Sequence, residues 1–252
     1  MPEPSKSNSG GARRTQQPGR AWQRMLSGRR LNILDPSPMD IEIIDIAHGL
    51  ARVSRWNGQT KGEYPLSVAQ HSVMVERFVS HNAPKLDRRW RLAALLHDAP
   101  EYVIGDMITP FKAVLGPGYK TLEARLQAAI HLRFGLPAAL PERVARSIKR
   151  ADHIAAYMEA IHCAGFSVAE AKDIFGAPRL RLEIDWAPWS PAEASERFLA
   201  RFAVLVAVER LGFKRRRLYP EGVAAAGIRV RESAPDRDTK GACCLLYTSP
   251  SP

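Results

Sequence analysis

Four side chains pair metal-ligand chemistry with costly positions: His71, His97, Asp98 and Asp152. His71 lies in Ser67-Val68-Ala69-Gln70-His71-Ser72-Val73, which reads as helix. His97-Asp98 closes the apolar run Leu92-Ala93-Ala94-Leu95-Leu96, and Asp152 falls inside a long helical stretch. On a wheel of about 100° per residue started at Val144, Ala155 falls near ~20°, Ile148 near ~40° and Asp152 near ~80°. Asp152 thus borders the apolar face, where a bare carboxylate is costly to bury. Arg or Lys would offset that cost, but a metal ion accounts for both histidines as well.

Neighbours on a continuous helix point about 100° apart and do not easily share one ion. At a helix end the backbone can turn and bring His97 and Asp98 together. Ala99-Pro100 follows, and proline disfavours helical geometry at the residue before it. Two imidazoles and two carboxylates from three helices would leave positions open for water or substrate. Such mixed N/O ligation suits one divalent ion, with Mn, Co, Fe, Ni, Zn and Mg all compatible. The competing reading is bland, because a lone histidine on an apolar face is usually a satisfied core residue.

The residues after the dyad are more specific: His97-Asp98-Ala99-Pro100-Glu101-Tyr102-Val103-Ile104-Gly105-Asp106-Met107-Ile108-Thr109-Pro110-Phe111-Lys112. This segment resembles the HD-domain metal-dependent phosphohydrolases. Within them it is most similar to the YfbR-like 5′-deoxynucleotidase branch, whose pattern is H-D-x-x-E-x-x-x-G-D-x-x-T-P-x-K. Arg55-Trp56 and the Ser67 to His71 run are similar to that branch too, and the likeness spans about residues 36–165. It implies an all-α fold, a single divalent metal held by His71, His97, Asp98 and Asp152, and hydrolysis of a nucleotide phosphate bond. It further implies that Glu101 and Asp106 handle the attacking water or protonate the leaving group. Arg55, Trp56, Thr109 and Lys112 would contact substrate, and a homodimer is suggested. The segment Asn57 to Tyr64 is longer than in that branch and borders the inferred pocket.

Elementary chemistry assigns the same groups. Glu101 is three residues past Asp98, close enough to take a proton from water or deliver one to a leaving oxygen. Asp106 could share that work. Arg55 and Lys112 would offset phosphate charge, arginine through its bidentate fork. Each has an ordinary alternative: Glu101 as a helix-start acid, Asp106 as a turn residue after glycine, Arg55 as a helix-end cation, Trp56 as a core aromatic.

The elements that must position these groups read as helices. Ser37-Pro38-Met39-Asp40 can open one, with Met39, Ile43, Ile46, Leu50 and Val53 at helical spacing, ending near Trp56-Asn57-Gly58. A second runs from Pro65 to about Phe78 and a third from Asp87 to His97. The Pro- and Gly-bearing stretch from Ala99 to Gly118 follows. A fourth covers about Tyr119 to Phe134, and a fifth runs from Pro141 to about His162. Residues 173–189 read as loop. The capping box Ser190-Pro191-Ala192-Glu193 opens a sixth helix through Leu211. Only Arg30 to Leu34 hints at a strand. The expected fold is a single all-α HD-type helical bundle over 35–212. Segments 1–34 and 213–252 should be basic, disordered ends, and the last twelve residues differ in composition from everything before them.

The composition is 45% hydrophobic and 25% charged, which fits a soluble globular chain and excludes wholesale disorder. The +11 net charge is uneven: +6 lies in residues 1–34, +4 in 211–252, and +1 remains for the body. That favours solvated tails over a nucleic-acid-binding surface. No apolar run is long enough for a spanning helix, and no signal-like segment opens the chain. Cys163, Cys243 and Cys244 form no C-x-x-C, so a thiolate site is disfavoured and a reduced, cytoplasmic protein is expected.

The favoured function is 5′-dephosphorylation of deoxyribonucleoside 5′-monophosphates, with a small-molecule nucleotide as partner. Hydrolysis of deoxynucleoside triphosphates or guanosine tetraphosphate stays open. From a different class, a non-catalytic nucleotide- or nucleic-acid-binding module using the basic ends also stays open.

Overall fold

The helices begin where short polar side chains cap them. Ser67, Asp87, Ser167 and Ser190 each accept a hydrogen bond from an amide two or three residues on, at 3.0–3.3 Å. A computed structural model describes residues 21–178, 182 and 184–207. Over these the chain forms strands β1 (Trp22–Arg24) and β2 (Arg30–Asn32) and nine α-helices. The helices are α1 (Ile43–Leu50), α2 (Val68–Asn82), α3 (Arg88–Leu95), α4 (Glu101–Ile104), α5 (Thr109–Leu115), α6 (Pro117–Arg133), α7 (Glu142–His162), α8 (Val168–Phe175) and α9 (Pro191–Val206). The fold is all-α, as expected, with one small antiparallel hairpin. No helix among the described residues is long and apolar enough to cross a membrane.

The centre of the bundle is α2. It packs against α3, α7 and α9 and is buried nearly all round, including the polar Gln70, His71, Ser72 and Glu76. Polar groups in that position need partners. Glu76 receives the Nε and Nη2 of Arg201 on α9 at 2.5 and 2.6 Å, and Ser80 Oγ at 2.5 Å. Gln70 spans the carbonyl of Ala187 (3.0 Å) and the amide of Trp189 (2.9 Å), seating Trp186 and Trp189 in the core. These bonds fix α2, and with it His71, against α9 and the segment that carries Trp186 and Trp189.

Several expectations are corrected. The helix expected from Ser37 splits. Ser37 caps only a short 3-10 turn, Pro38–Asp40, after which Ile41 and Glu42 are extended and α1 starts at Ile43. The extended backbone drives Ile41 into the core, fully buried. That helix also ends at Leu50, and Arg55–Gly58 forms a separate 3-10 turn. The second helix opens at the Ser67 cap, two residues after Pro65. The Ala99 to Gly118 stretch contains α4 and α5. A capping box of Ser167 and Glu170 opens α8, which enters the expected loop. Trp22–Arg24, placed within the disordered end, is a strand paired with Arg30–Asn32. Its hairpin turn docks on α1: Ser27 donates from N and Oγ to Asp45 at 2.9 and 2.5 Å. Residues 1–20 and 208–252, including Cys243, Cys244 and the end of the sixth expected helix, lie outside the described residues. Cys163 is buried.

One close approach positions the catalytic candidate Glu101. Helix α1 packs on α4, and a Cβ built on Gly49 would stand 2.8 Å from Tyr102 Cβ and 3.0 Å from its carbonyl oxygen. Substituting Gly49→Ala forces α4 outward and should cost about 1–3 kcal/mol, as overpacking does. Urea denaturation checks this, and an unchanged midpoint would contradict the packing described.

Candidate metal centre

His71 projects from α2 with no exposed surface. Its Nδ1 lies 2.5 Å from Glu159 Oε1. A carboxylate oxygen only accepts, so Nδ1 carries a proton, and in the neutral ring Nε2 presents the lone pair. Helix α3 ends at Leu95, and the turn at Leu96 swings His97 and Asp98 to the same point. His97 Nδ1 is 2.9 Å from the carbonyl of Ala94, which likewise fixes its proton and frees Nε2. From α7, Asp152 directs Oδ1 to the same place while Oδ2 accepts from Lys149 Nζ at 3.0 Å.

These groups meet around His71 Nε2. His97 Nε2 is 3.3 Å away, Asp98 Oδ2 3.3 Å and Asp152 Oδ1 3.5 Å. His97 Nε2 and Asp98 Oδ2 are 3.2 Å apart. Two facing imidazole lone pairs and two carboxylates have no proton to share in their ordinary forms. A cation resolves that. Ligands at about 2.1 Å from an ion stand roughly 3.0–3.4 Å from one another, so the spacing fits. His71, His97 and Asp152 are thus close enough to be ligands of one ion, and Asp98 touches both imidazoles.

Glu159, which the motif reading missed, sits two turns after Asp152 on α7 and is fully buried. Its Oε2 accepts from Trp56 Nε1 at 3.0 Å and from Arg55 Nε and Nη2 at 3.4 Å. Burial opposes its charge, but His71 and Arg55 hold its pKa down at about 2. Its signal was its own seven-residue spacing from Asp152, the same face of one helix. Arg55 extends Nη1 to Asp106 Oδ2 at 3.3 Å. Trp56 packs against Phe166 and Phe175. Its backbone, with that of Asn57, is left-handed (φ 55° and 50°), which costs about 1–3 kcal/mol each for such residues.

Glu101 is 3% exposed, and its Oε2 takes no hydrogen bond from the described protein. Burial, then the charges of Asp98 and Asp106, push its pKa up to about 9, against the pull of Arg55 and Lys112. Lys112 Nζ lies 3.3 Å from Glu123 and 3.8 Å from Glu101. Burial lowers its pKa, but those two acids raise it further. Thr109 opens α5, and its side chain lies outside the described residues. Two clefts flank the dyad. One of about 240 Å³ is lined by Glu101, Lys120, Glu123 and Gln127; the other, of about 250 Å³, by Gln127, His131, Leu140, Ile148, Lys149 and Asp152. Neither Gln127 nor His131 belonged to a readable motif.

This combination defines a class before it defines a relative. Residues 68–157, from the start of α2 to Tyr157 on α7, match the family described as "HD domain". The chain is 60% identical over 191 residues to "Uncharacterized protein RCAP_rcc00048" of Rhodobacter capsulatus, covering 74% of this chain and 96% of that one. It is 37% identical over 98 residues to "Uncharacterized protein YfdR" of Escherichia coli, covering 39% of this chain and 49% of that one. The chain belongs to the HD-domain family, which indicates a metal-dependent phosphohydrolase. Neither relative's name states a substrate, so the finer likeness to YfbR-like 5′-deoxynucleotidases rests on the motif.

A proton and a divalent ion compete for this cluster. Burial and Arg55 lower the His71 pKa, but Glu159, Asp152 and Asp98 outweigh them and hold it well above the ordinary value. Burial raises the carboxylate pKa values, yet the two histidines hold Asp98, and His71 chiefly Asp152, well below the ordinary range. The raised His71 contributes stability that is complete below about pH 6.5 and is lost as pH rises through its folded value. The depressed acids contribute stability present above about pH 4 and lost in acid. Metal-free protein should therefore be most stable between about pH 4 and 6.5, and Mn²⁺ should raise Tm more at about pH 8 than at about pH 6. Thermal melts test this; a larger gain at the lower pH would contradict it.

Proposed function

We propose that the protein hydrolyses the 5′-phosphate ester of deoxyribonucleoside monophosphates, with one divalent ion held by His71, His97, Asp98 and Asp152. The observation that carries the reading is the meeting of a second imidazole and two carboxylates within 3.5 Å of His71 Nε2. A divalent ion held there supplies Lewis acidity and lowers the pKa of water.

The remaining work falls to the chain. Glu101 holds a proton in a dry setting and is suited to give it to the leaving oxygen, then recover it from water. Glu159 takes the Nε and Nη2 donors of Arg55 and Asp106 takes Nη1, so the guanidinium offsets phosphate charge from a fixed place rather than clamping oxygens with its fork. Lys112 screens the negative charge beside Glu101. Trp56 offers its ring rather than its N–H, which is committed to Glu159. The apolar wall of Leu140 and Ile148 in the second cleft gives a nucleoside a surface to pack on.

Charge balance supports a monophosphate over a longer chain. Arg55 already faces Glu159 and Asp106, Lys112 faces Glu123 and Glu101, and Lys149 faces Asp152. Among the described residues of the two clefts, Lys120 is left without a carboxylate partner, and one such cation suits a single phosphate better than the chain of a triphosphate or of guanosine tetraphosphate. The reading of a nucleic-acid-binding module draws on basic ends that lie mostly outside the described residues.

Phosphate release from a nucleotide panel with Mn²⁺ or Co²⁺ tests the proposal. Deoxynucleoside monophosphates should be the best substrates, Asp98→Ala should abolish turnover, and Glu101→Gln should lower kcat by about 10²–10⁴-fold. Turnover indifferent to chelator and to Asp98→Ala would refute the metal role; preference for triphosphates would refute the substrate.

A further inference from the structure

Two independent features converge on a residue that the reaction itself does not use. The first is the buried carboxylate of Glu159. Its Oε1 holds His71 Nδ1, and its Oε2 takes three N–H donors from Arg55 and Trp56. Both oxygens are bonded and the side chain has no exposed surface, so Glu159 is not placed to act on a substrate. The second is the left-handed backbone at Trp56 and Asn57. A bulky residue stays in that region only where its surroundings over-determine it. Here the determinants are the indole N–H bond to Glu159 and the packing of the ring on Phe166 and Phe175.

We infer that Glu159 is a positioning residue that couples the ion-binding imidazole of His71 to the Arg55-Trp56 turn. One buried carboxylate fixes the tautomer that turns His71 Nε2 toward the ion, and the same carboxylate holds the strained turn that aims Arg55. A hydrogen-bonding partner behind a metal-bound imidazole raises its basicity and sets its orientation, and its loss typically weakens metal affinity about 10–100-fold. In this chain the loss extends to the arginine as well. This inference rests on the metal reading proposed above.

The test uses the full chain and Co²⁺ alone, titrated by calorimetry, with phosphate-release kinetics at saturating Co²⁺ as a second readout. Glu159→Gln keeps the shape of the side chain but replaces an acceptor oxygen with a donor, facing either His71 Nδ1–H or the Arg55 and Trp56 donors. It should weaken Co²⁺ binding by about 10–100-fold and, with Co²⁺ restored to saturation, leave KM for the nucleotide raised. The visible absorption of bound Co²⁺ should shift, which a purely structural role would not produce. Trp56→Phe keeps an aromatic ring against Phe166 and Phe175 while removing the indole N–H; it should show a smaller loss of the same kind. His71→Ala serves as the reference for loss of the site. Absence of Co²⁺ binding in the wild type, or its survival in His71→Ala, overturns the metal reading and this inference together. Co²⁺ binding lost in His71→Ala but unchanged in Glu159→Gln and Trp56→Phe overturns this inference alone. Should circular dichroism show Glu159→Gln unfolded, Trp56→Phe decides.

Discussion

The structure depends on an imidazole buried in the middle of the bundle. His71 has no contact with solvent, yet its free nitrogen looks at a second imidazole and two carboxylates within 3.5 Å. A helix interior does not tolerate such a group unless each polar atom is answered. The Nδ1 side is answered by Glu159, and the Nε2 side is composed of groups that need a shared positive charge, a proton or a divalent ion, between them. The neighbouring elements serve this requirement: α2 is caged by three helices, α3 stops where the dyad must turn, and α7 brings in both an acid for the ion and an acid for the imidazole behind it.

The cage is itself polar where it must be. Glu76 and Arg201 fasten α9 to α2 away from the cluster, and Gln70 ties down the Trp186 to Trp189 segment. These bonds anchor the histidine-bearing helix without drawing on the residues that do chemistry. Around the cluster, Arg55 and Lys112 each face two carboxylates and Lys149 faces one. This lowers the cost of burying so many charges and limits how much extra negative charge a ligand can bring.

Much of the site is legible in the sequence. The dyad announced itself because adjacent His and Asp before Ala-Pro make sense only at a turning helix end, which is where α3 stops. Asp152 was legible as an acid at the margin of an apolar face. Glu159 shares that wheel but is not part of the motif that carries the family resemblance, so nothing marked it apart from its position on a buried face. The sequence at Trp56 reads as an ordinary helix end, because left-handed backbone at a tryptophan is enforced by tertiary contacts and has no local signature. The same reason explains α1: local spacing favoured one helix from Ser37 to Gly58, but burial of Ile41 and docking of the hairpin on Asp45 broke it into shorter pieces. Conversely, the caps at Asp87 and Ser190 depend on nearby residues alone, and the helices there begin where the sequence says.

The account stands or falls on where an ion sits. Crystals grown with Mn²⁺ or Co²⁺ and measured at the metal absorption edge would show this directly. A single anomalous peak between His71 Nε2, His97 Nε2, Asp98 and Asp152 is the predicted result. An ion bound elsewhere, with those four groups left uncoordinated at full metal occupancy, would contradict it.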